Sequence, residues 1–130
     1  MNQPVIPAAT VIVMREGAVA PELLMVERAK AMAFAGGALV FPGGRVDPGD
    51  IALAAACEDR AARVAAVRET LEEAGVAVGL SLAAAAIPPL RRRVYAGEPF
   101  GALLQEFGGT LDLGALVPFA RWLPRDVPHK

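Results

Sequence analysis

The stretch RETLEEAGV, Arg68 to Val76, constrains the fold of this chain more than any other. Its carboxylates Glu69, Glu72 and Glu73 follow one another at three- and four-residue spacings, which place all three on one face of an α-helix. Like charges so placed repel by roughly 0.2–0.5 kcal/mol per exposed pair. Gly75 stands where a helix needs a left-handed residue to stop. Upstream, Val64, Val67, Leu71 and Ala74 recur at helical intervals and form one apolar stripe, so helical pattern extends from about Ile51 to Ala74. Its first part, ALAAACEDR, has no informative apolar phase and forms a separate turn or a short helix. The chain must therefore supply a surface to cover the apolar edge of this helix and a counter-charge for its acidic edge.

Strands supply the surface. ATVIVM (Ala9 to Met14) is β-branched and apolar, REGAVAPE reads as a turn, and LLMVER (Leu23 to Arg28) as the antiparallel partner. ALVF (Ala38 to Phe41) reads as a third strand running into PGGRVDPGD, whose two prolines, three glycines and two aspartates require a structured loop. VAVGL after Gly75 resumes as a strand, FGALLQEFG (Phe100 to Gly108) reads as a helix, and FARWL (Phe119 to Leu123) as a final strand. The result is an α/β (α+β) chain with a mixed β-sheet flanked by helices. With 130 residues it makes one domain.

The bulk properties exclude several classes. Lys+Arg 13 against Asp+Glu 14 leaves a net charge of -1, so no global field draws the chain to nucleic acid or to an acidic membrane surface. One cysteine, Cys57, excludes an internal disulfide framework and fits a reducing, cytoplasmic compartment, as does an N-terminus without secretory pattern. With one histidine besides, a His/Cys zinc site is excluded. The longest apolar run, Gly75 to Pro89, is interrupted by Ser81 and ends at two prolines, so it is no membrane span.

Most acidic clusters on amphipathic helices are solvated faces. Here the neighbourhood argues otherwise, because Arg68 adjoins the cluster, Gly75 ends it, and a Pro-Gly-Gly loop lies upstream at a strand end. Carboxylates at i, i+3 and i+4 offer hard oxygen ligands on one surface, the donors that Mg²⁺ or Mn²⁺ prefers. A bound cation turns the repulsion into the reason for the arrangement. Glycines in the loop let backbone groups approach a metal or a phosphate closely. The chemistry this suits is metal-assisted attack of water on a phosphoanhydride.

RETLEEAGV resembles the second half of the Nudix box, RE-U-x-EE-x-G-U, with Thr70 at a position that is usually bulky and aliphatic, and Gly44 resembles the glycine that opens it. Gly44 and Arg68 lie 24 residues apart, a longer interval than in the short form of the box. That interval leaves Asp47 and Asp50 as candidates for the upstream acidic residue. The lengthened form, FPGGRVDPGD…AAVRETLEEAGV, looks like the branch that includes coenzyme A diphosphatases, and LLMVER, FAGGALVF, FGALLQEFG and LVPFARWLP agree with it. The resemblance implies the Nudix fold and Mg²⁺- or Mn²⁺-dependent cleavage of a nucleoside diphosphate linked to another moiety, coenzyme A or an acyl-CoA first. ADP-ribose, dinucleotides and nucleoside triphosphates are rival substrates, and a nucleotide-sensing domain without catalysis is a rival of another class. It further implies Glu69, Glu72 and Glu73, with the Gly43 carbonyl, as metal ligands, and Arg68 as a brace for a glutamate. Gly43, Gly44 and Arg45 would lie against the substrate. For a general base it leaves Glu98, Glu106 and Asp112 open.

Other features have plainer meanings beside their functional ones. Arg91 to Arg93 could grip a phosphate through their forks, but such a run is more often a solvated helix or loop. Tyr95 and Trp122 could stack on an adenine, whereas a lone Trp in an apolar strand is usually core. Cys57 reads as an inert small hydrophobe and His129 as an unremarkable terminal residue. The resembling proteins continue past RWLPRDVPHK into a further strand and helix, so the domain is expected to be C-terminally incomplete. Either a second copy would pair across the open edge or the product would be trimmed and weakly active.

Overall fold

In the computed structural model, residues 4–29, 36–55 and 58–123 are described. Cys57, Phe34 and His129 lie outside them. The architecture is α+β, with short antiparallel ladders set around four α-helices among the described residues.

The first ladder joins β1 (Ala8–Thr10) to β6 (Gly43–Arg45), with Ala9 opposite Gly44. Hydrogen bonds from Val11 N–H to the Pro42 carbonyl and from Val46 N–H to the Pro7 carbonyl extend it at both ends. A hairpin joins β2 (Met14–Arg15) to β3 (Glu22–Leu23), and β4 (Val26–Glu27) pairs with β5 (Leu39–Val40). The expected strand over Ala9 to Met14 is therefore divided between two partners, β6 and β3. The last ladder pairs β7 (Leu80–Ser81) with β8 (Thr110–Leu111), so only the end of VAVGL is strand.

The helical pattern expected from Ile51 to Ala74 is two helices, α1 (Pro48–Leu53) and α2 (Glu58–Ala74). Helix α2 is the centre of the core. Val64, Val67 and Leu71 are each 0% exposed and meet Leu90 and Val94 of α3 (Ile87–Tyr95) and Leu103 and Leu104 of α4 (Phe100–Phe107). Each such side chain withdrawn from water contributes about 1.5–3 kcal/mol. Thr70, where the family pattern has a bulky aliphatic residue, is buried with its hydroxyl donating to the Ala66 carbonyl at 2.7 Å. Gly75 stops α2 with φ of 67°, donating its N–H to the Leu71 carbonyl.

One open sequence alternative is decided here and one expectation fails. Pro88 and Pro89 sit in the first turn of α3, where a missing N–H costs no helical hydrogen bond, so the Arg91 to Arg93 run is helical. FARWL is not a strand: residues 119–123 pair with no strand among the described residues, and Trp122 is 82% exposed rather than core.

Candidate active site

The site is built where β6 passes the acidic face of α2. At Gly44 a Cβ would fall 2.5 Å from the Glu69 carboxyl carbon, so a side chain there would push that carboxylate out of its place. At Gly43 a Cβ would fall 2.3 Å from the Ala9 carbonyl oxygen, so there the requirement comes from pairing with β1. The Gly43 N–H donates to Glu73 Oε2 at 3.3 Å. Close approach, not a left-handed backbone, is what both glycines serve.

Helix α1 supplies the second part. Asp47 caps it, accepting from the Asp50 N–H at 2.9 Å, while Asp50 Oδ2 accepts from the Asp47 N–H at 2.9 Å. This reciprocal box holds Asp50 in place at 1% exposure. Arg68 then forks onto the same carboxylate, with Nε donating to Oδ1 and Nη2 to Oδ2, both at 2.9 Å. Its Nη2 also donates to the Arg45 carbonyl at 3.0 Å. Its Nη1 reaches Glu69 Oε1 at 3.1 Å and Glu72 Oε1 at 3.5 Å. Asp47 Oδ2 stands 3.3 Å from Nε. Of the two upstream aspartates, Asp50 is the one engaged by both ends of the fork. The brace expected on a glutamate is thus an aspartate first, and Glu69 and Glu72 second.

The electrostatics follow from this crowding. The Asp50 hydrogen bonds hold the Arg68 guanidinium above its ordinary range, against the opposing effect of burial. The Glu72 carboxyl is pushed up by burial first and by the Glu69 charge second, with Arg68 opposing. Glu73 is pushed up by desolvation first, while the Gly43 N–H and Arg28 oppose and Glu69 adds to the rise. Among the described residues no three such side chains already converge as a cation cage. Glu69 and Glu72 turn to Arg68, and Glu73 turns to Gly43.

The base candidates sit elsewhere. Arg93 donates to both oxygens of Glu98, at 2.8 Å each, and also to Glu106. That fork holds the Glu98 carboxyl below its usual range. Asp112 donates its N–H to the Gly79 carbonyl and precedes a turn, Leu113–Ala115, bound by Arg63. One structural participant escaped the sequence reading. Arg91 donates from Nε to the Glu72 carbonyl at 3.0 Å and from Nη2 to the Glu73 carbonyl at 3.1 Å, capping the last turn of α2. Nothing local in IPPLRRR marks which arginine does so.

A glycine-bearing strand held against a helix with a clustered carboxylate face defines a class of small α+β domains with a loop–helix site. Within it, the NUDIX domain model matches residues 4–101, and the chain belongs to that family. A crystal structure of a NUDIX hydrolase from Alicyclobacillus acidocaldarius is similar, with a TM-score of 0.72 and 32% identity over 85% of this chain. The chain spans 58% of that protein's length. Among curated proteins none matches the sequence. No helix among the described residues is long and apolar enough to cross a membrane.

Proposed function

We propose that this domain is a divalent-cation-dependent hydrolase of a nucleoside diphosphate joined to a second moiety, with Mg²⁺ or Mn²⁺ as cofactor. The observation that carries the reading is the gathering of Glu69 and Glu72 on Arg68, with Glu73 against the Gly43 backbone. The donor set fits a hard cation. It is all oxygen, two of its carboxyls are pushed toward protonation by burial first and by the Glu69 charge as well, and Gly44 lets the Glu69 carboxylate lie where a Cβ would otherwise stand. Glu69, Glu72, Glu73 and the Gly43 carbonyl would hold it. When bound, the cation neutralises the diphosphate and lowers the pKa of the attacking water.

The chain's own residues provide the positioning. Arg68 fixes the side chains of Glu69 and Glu72, Asp50 fixes Arg68, and Arg91 fixes the backbone of Glu72 and Glu73. Gly43, Gly44 and Arg45 form the strand along which the diphosphate lies. Water oxygen bonds to one phosphorus, the bridging P–O bond breaks, and the other phosphate leaves. Coenzyme A or an acyl-CoA is the favoured substrate, giving adenosine 3′,5′-bisphosphate and a 4′-phosphopantetheine. Support for this comes from the long Gly44-to-Arg68 interval and its FPGGRVD entrance. A hydrolysis screen with Mg²⁺ and with Mn²⁺ across CoA, ADP-ribose, dinucleotides and nucleoside triphosphates tests it. Higher kcat/KM on CoA is expected. Preference for ADP-ribose or triphosphates overturns the substrate, and no turnover of any member overturns the activity in favour of a sensing domain.

A further inference from the structure

A cleft of about 340 Å³ opens beside the acidic face of α2, lined by Glu72, Arg91, Arg92 and Tyr95. A second, of about 220 Å³, is lined by Gly75, Ile87, Pro88, Arg91 and Arg92. Arg91 and Arg92 line both, so the two adjoin as a groove along α3, and Glu72 of the acidic cluster lines the first.

The three arginines of α3 have different employments. Arg91 is bound to the carbonyls at the end of α2, where its charge offsets the negative end of the helix dipole. Arg93 is bound to Glu98 and Glu106, with its guanidinium carbon 5.7 Å from the Phe107 ring centroid. Arg92 is exposed, and its side chain has no hydrogen bond or ion pair among the described residues. Three residues on, and so on the same helical face, stands Tyr95, 79% exposed. A free guanidinium fork and an open aromatic face, side by side, match a phosphate monoester carried by a nucleoside. The fork takes phosphate oxygens in pairs, and the ring takes the base by stacking. Glu72 at the other end of the cleft repels such a phosphate unless a cation intervenes, which sets the orientation of the ligand.

We infer that the Arg92–Tyr95 end of this groove is a recognition site for the nucleoside portion of the substrate, with Tyr95 stacking on the base and Arg92 gripping a phosphate outside the scissile diphosphate. This rests on the proposed diphosphate hydrolysis and deepens it. The site selects substrates bearing an additional phosphate on the ribose over those lacking it.

Calorimetric titration in Mg²⁺ with adenosine 3′,5′-bisphosphate and with adenosine 5′-monophosphate reads the site without turnover. The wild-type protein should bind the bisphosphate about tenfold more tightly, as one charge-assisted fork at an exposed position allows. R92A should erase that preference, R92K should restore part of it, and Y95A should weaken both nucleotides alike. Equal affinities in the wild-type protein, or a preference unchanged by R92A, would overturn the inference. Because binding is read directly, a protein that binds in this manner yet hydrolyses nothing would refute the activity and leave the recognition site standing.

Discussion

Replacing Asp50 by alanine tests whether the acidic cluster is held by the fold or merely tolerated by it. Asp50 is 1% exposed and takes both ends of the Arg68 fork at 2.9 Å while completing the box that caps α1. Removing one partner of a buried ion pair costs about 3–5 kcal/mol, chiefly because the other charge stays behind unpaired. The hydrogen bond lost between the Asp47 N–H and Asp50 Oδ2 adds about 1 kcal/mol. Against this, Arg68 keeps the Arg45 carbonyl, Glu69 and Glu72 as partners, which moderates the penalty. The expected net loss is therefore about 3 kcal/mol. Urea unfolding of a domain this size has a slope of about 1.5 kcal/mol per M, so the midpoint should fall by roughly 2 M at an unchanged slope. D50N, which keeps shape and one acceptor but no charge, should lose less. Adding R68M to D50A should recover at least about 1 kcal/mol, because the stranded cation is then gone. A loss under about 1 kcal/mol for both single variants, or a double variant less stable than D50A, would refute the account.

The glycines separate fold from site. G43A should lower the melting temperature, since its methyl group meets the Ala9 carbonyl backbone, whereas G44A should cut cation-dependent turnover at least tenfold with little change in melting, since its methyl group meets only the Glu69 carboxylate. Equal melting losses in the two would remove the distinction. Glu72 carries a pH signature in the cation-free protein. Its folded pKa lies above the ordinary 4.5, so the native state binds the extra proton and stability falls as pH rises from 4.5 through the raised value. E72Q should flatten that fall and be more stable than wild type at pH 7 in chelator. In Mg²⁺ its turnover should drop by orders of magnitude, and a melting curve that tracks wild type at every pH, or turnover near wild type, would contradict the reading.

Helix α2 was legible because every signal agreed over its length: stripe, acidic spacing and a stop glycine at residue 75. Its partner segment was legible only in part: the paired glycines marked a close approach, but PGGRVDPGD, expected as a loop, is strand β6 at Gly43–Arg45 and helix α1 from Pro48. Arg91 was not, since three adjacent arginines present one pattern while the helix gives each a different direction, and only the third dimension brings one to the carbonyls of Glu72 and Glu73. The choice between Asp47 and Asp50 failed in sequence for a similar reason. Both belong to one capping box, and burial alone decides which receives the arginine fork. FARWL carried apolar residues in strand-like order, but strands exist through partners, and none of the described segments pairs with it.

The glycine strand and the carboxylate helix differ in how deeply they are rooted. Val64, Val67 and Leu71 of α2 lie in the innermost layer, while the ladders are two or three residues long and leave Met14, Leu23 and Leu39 largely exposed. Amide protons of α2 should therefore exchange with solvent late, and those of the ladders early. The cluster thus spans a seam between a late-opening and an early-opening unit. Any ligand that touches both Gly43 and Glu73 ties the outer unit to the inner one and by mass action suppresses its local opening. Occupancy of the site should therefore be recorded in the exchange of β1 and β6 far more than in that of the helix bearing the carboxylates.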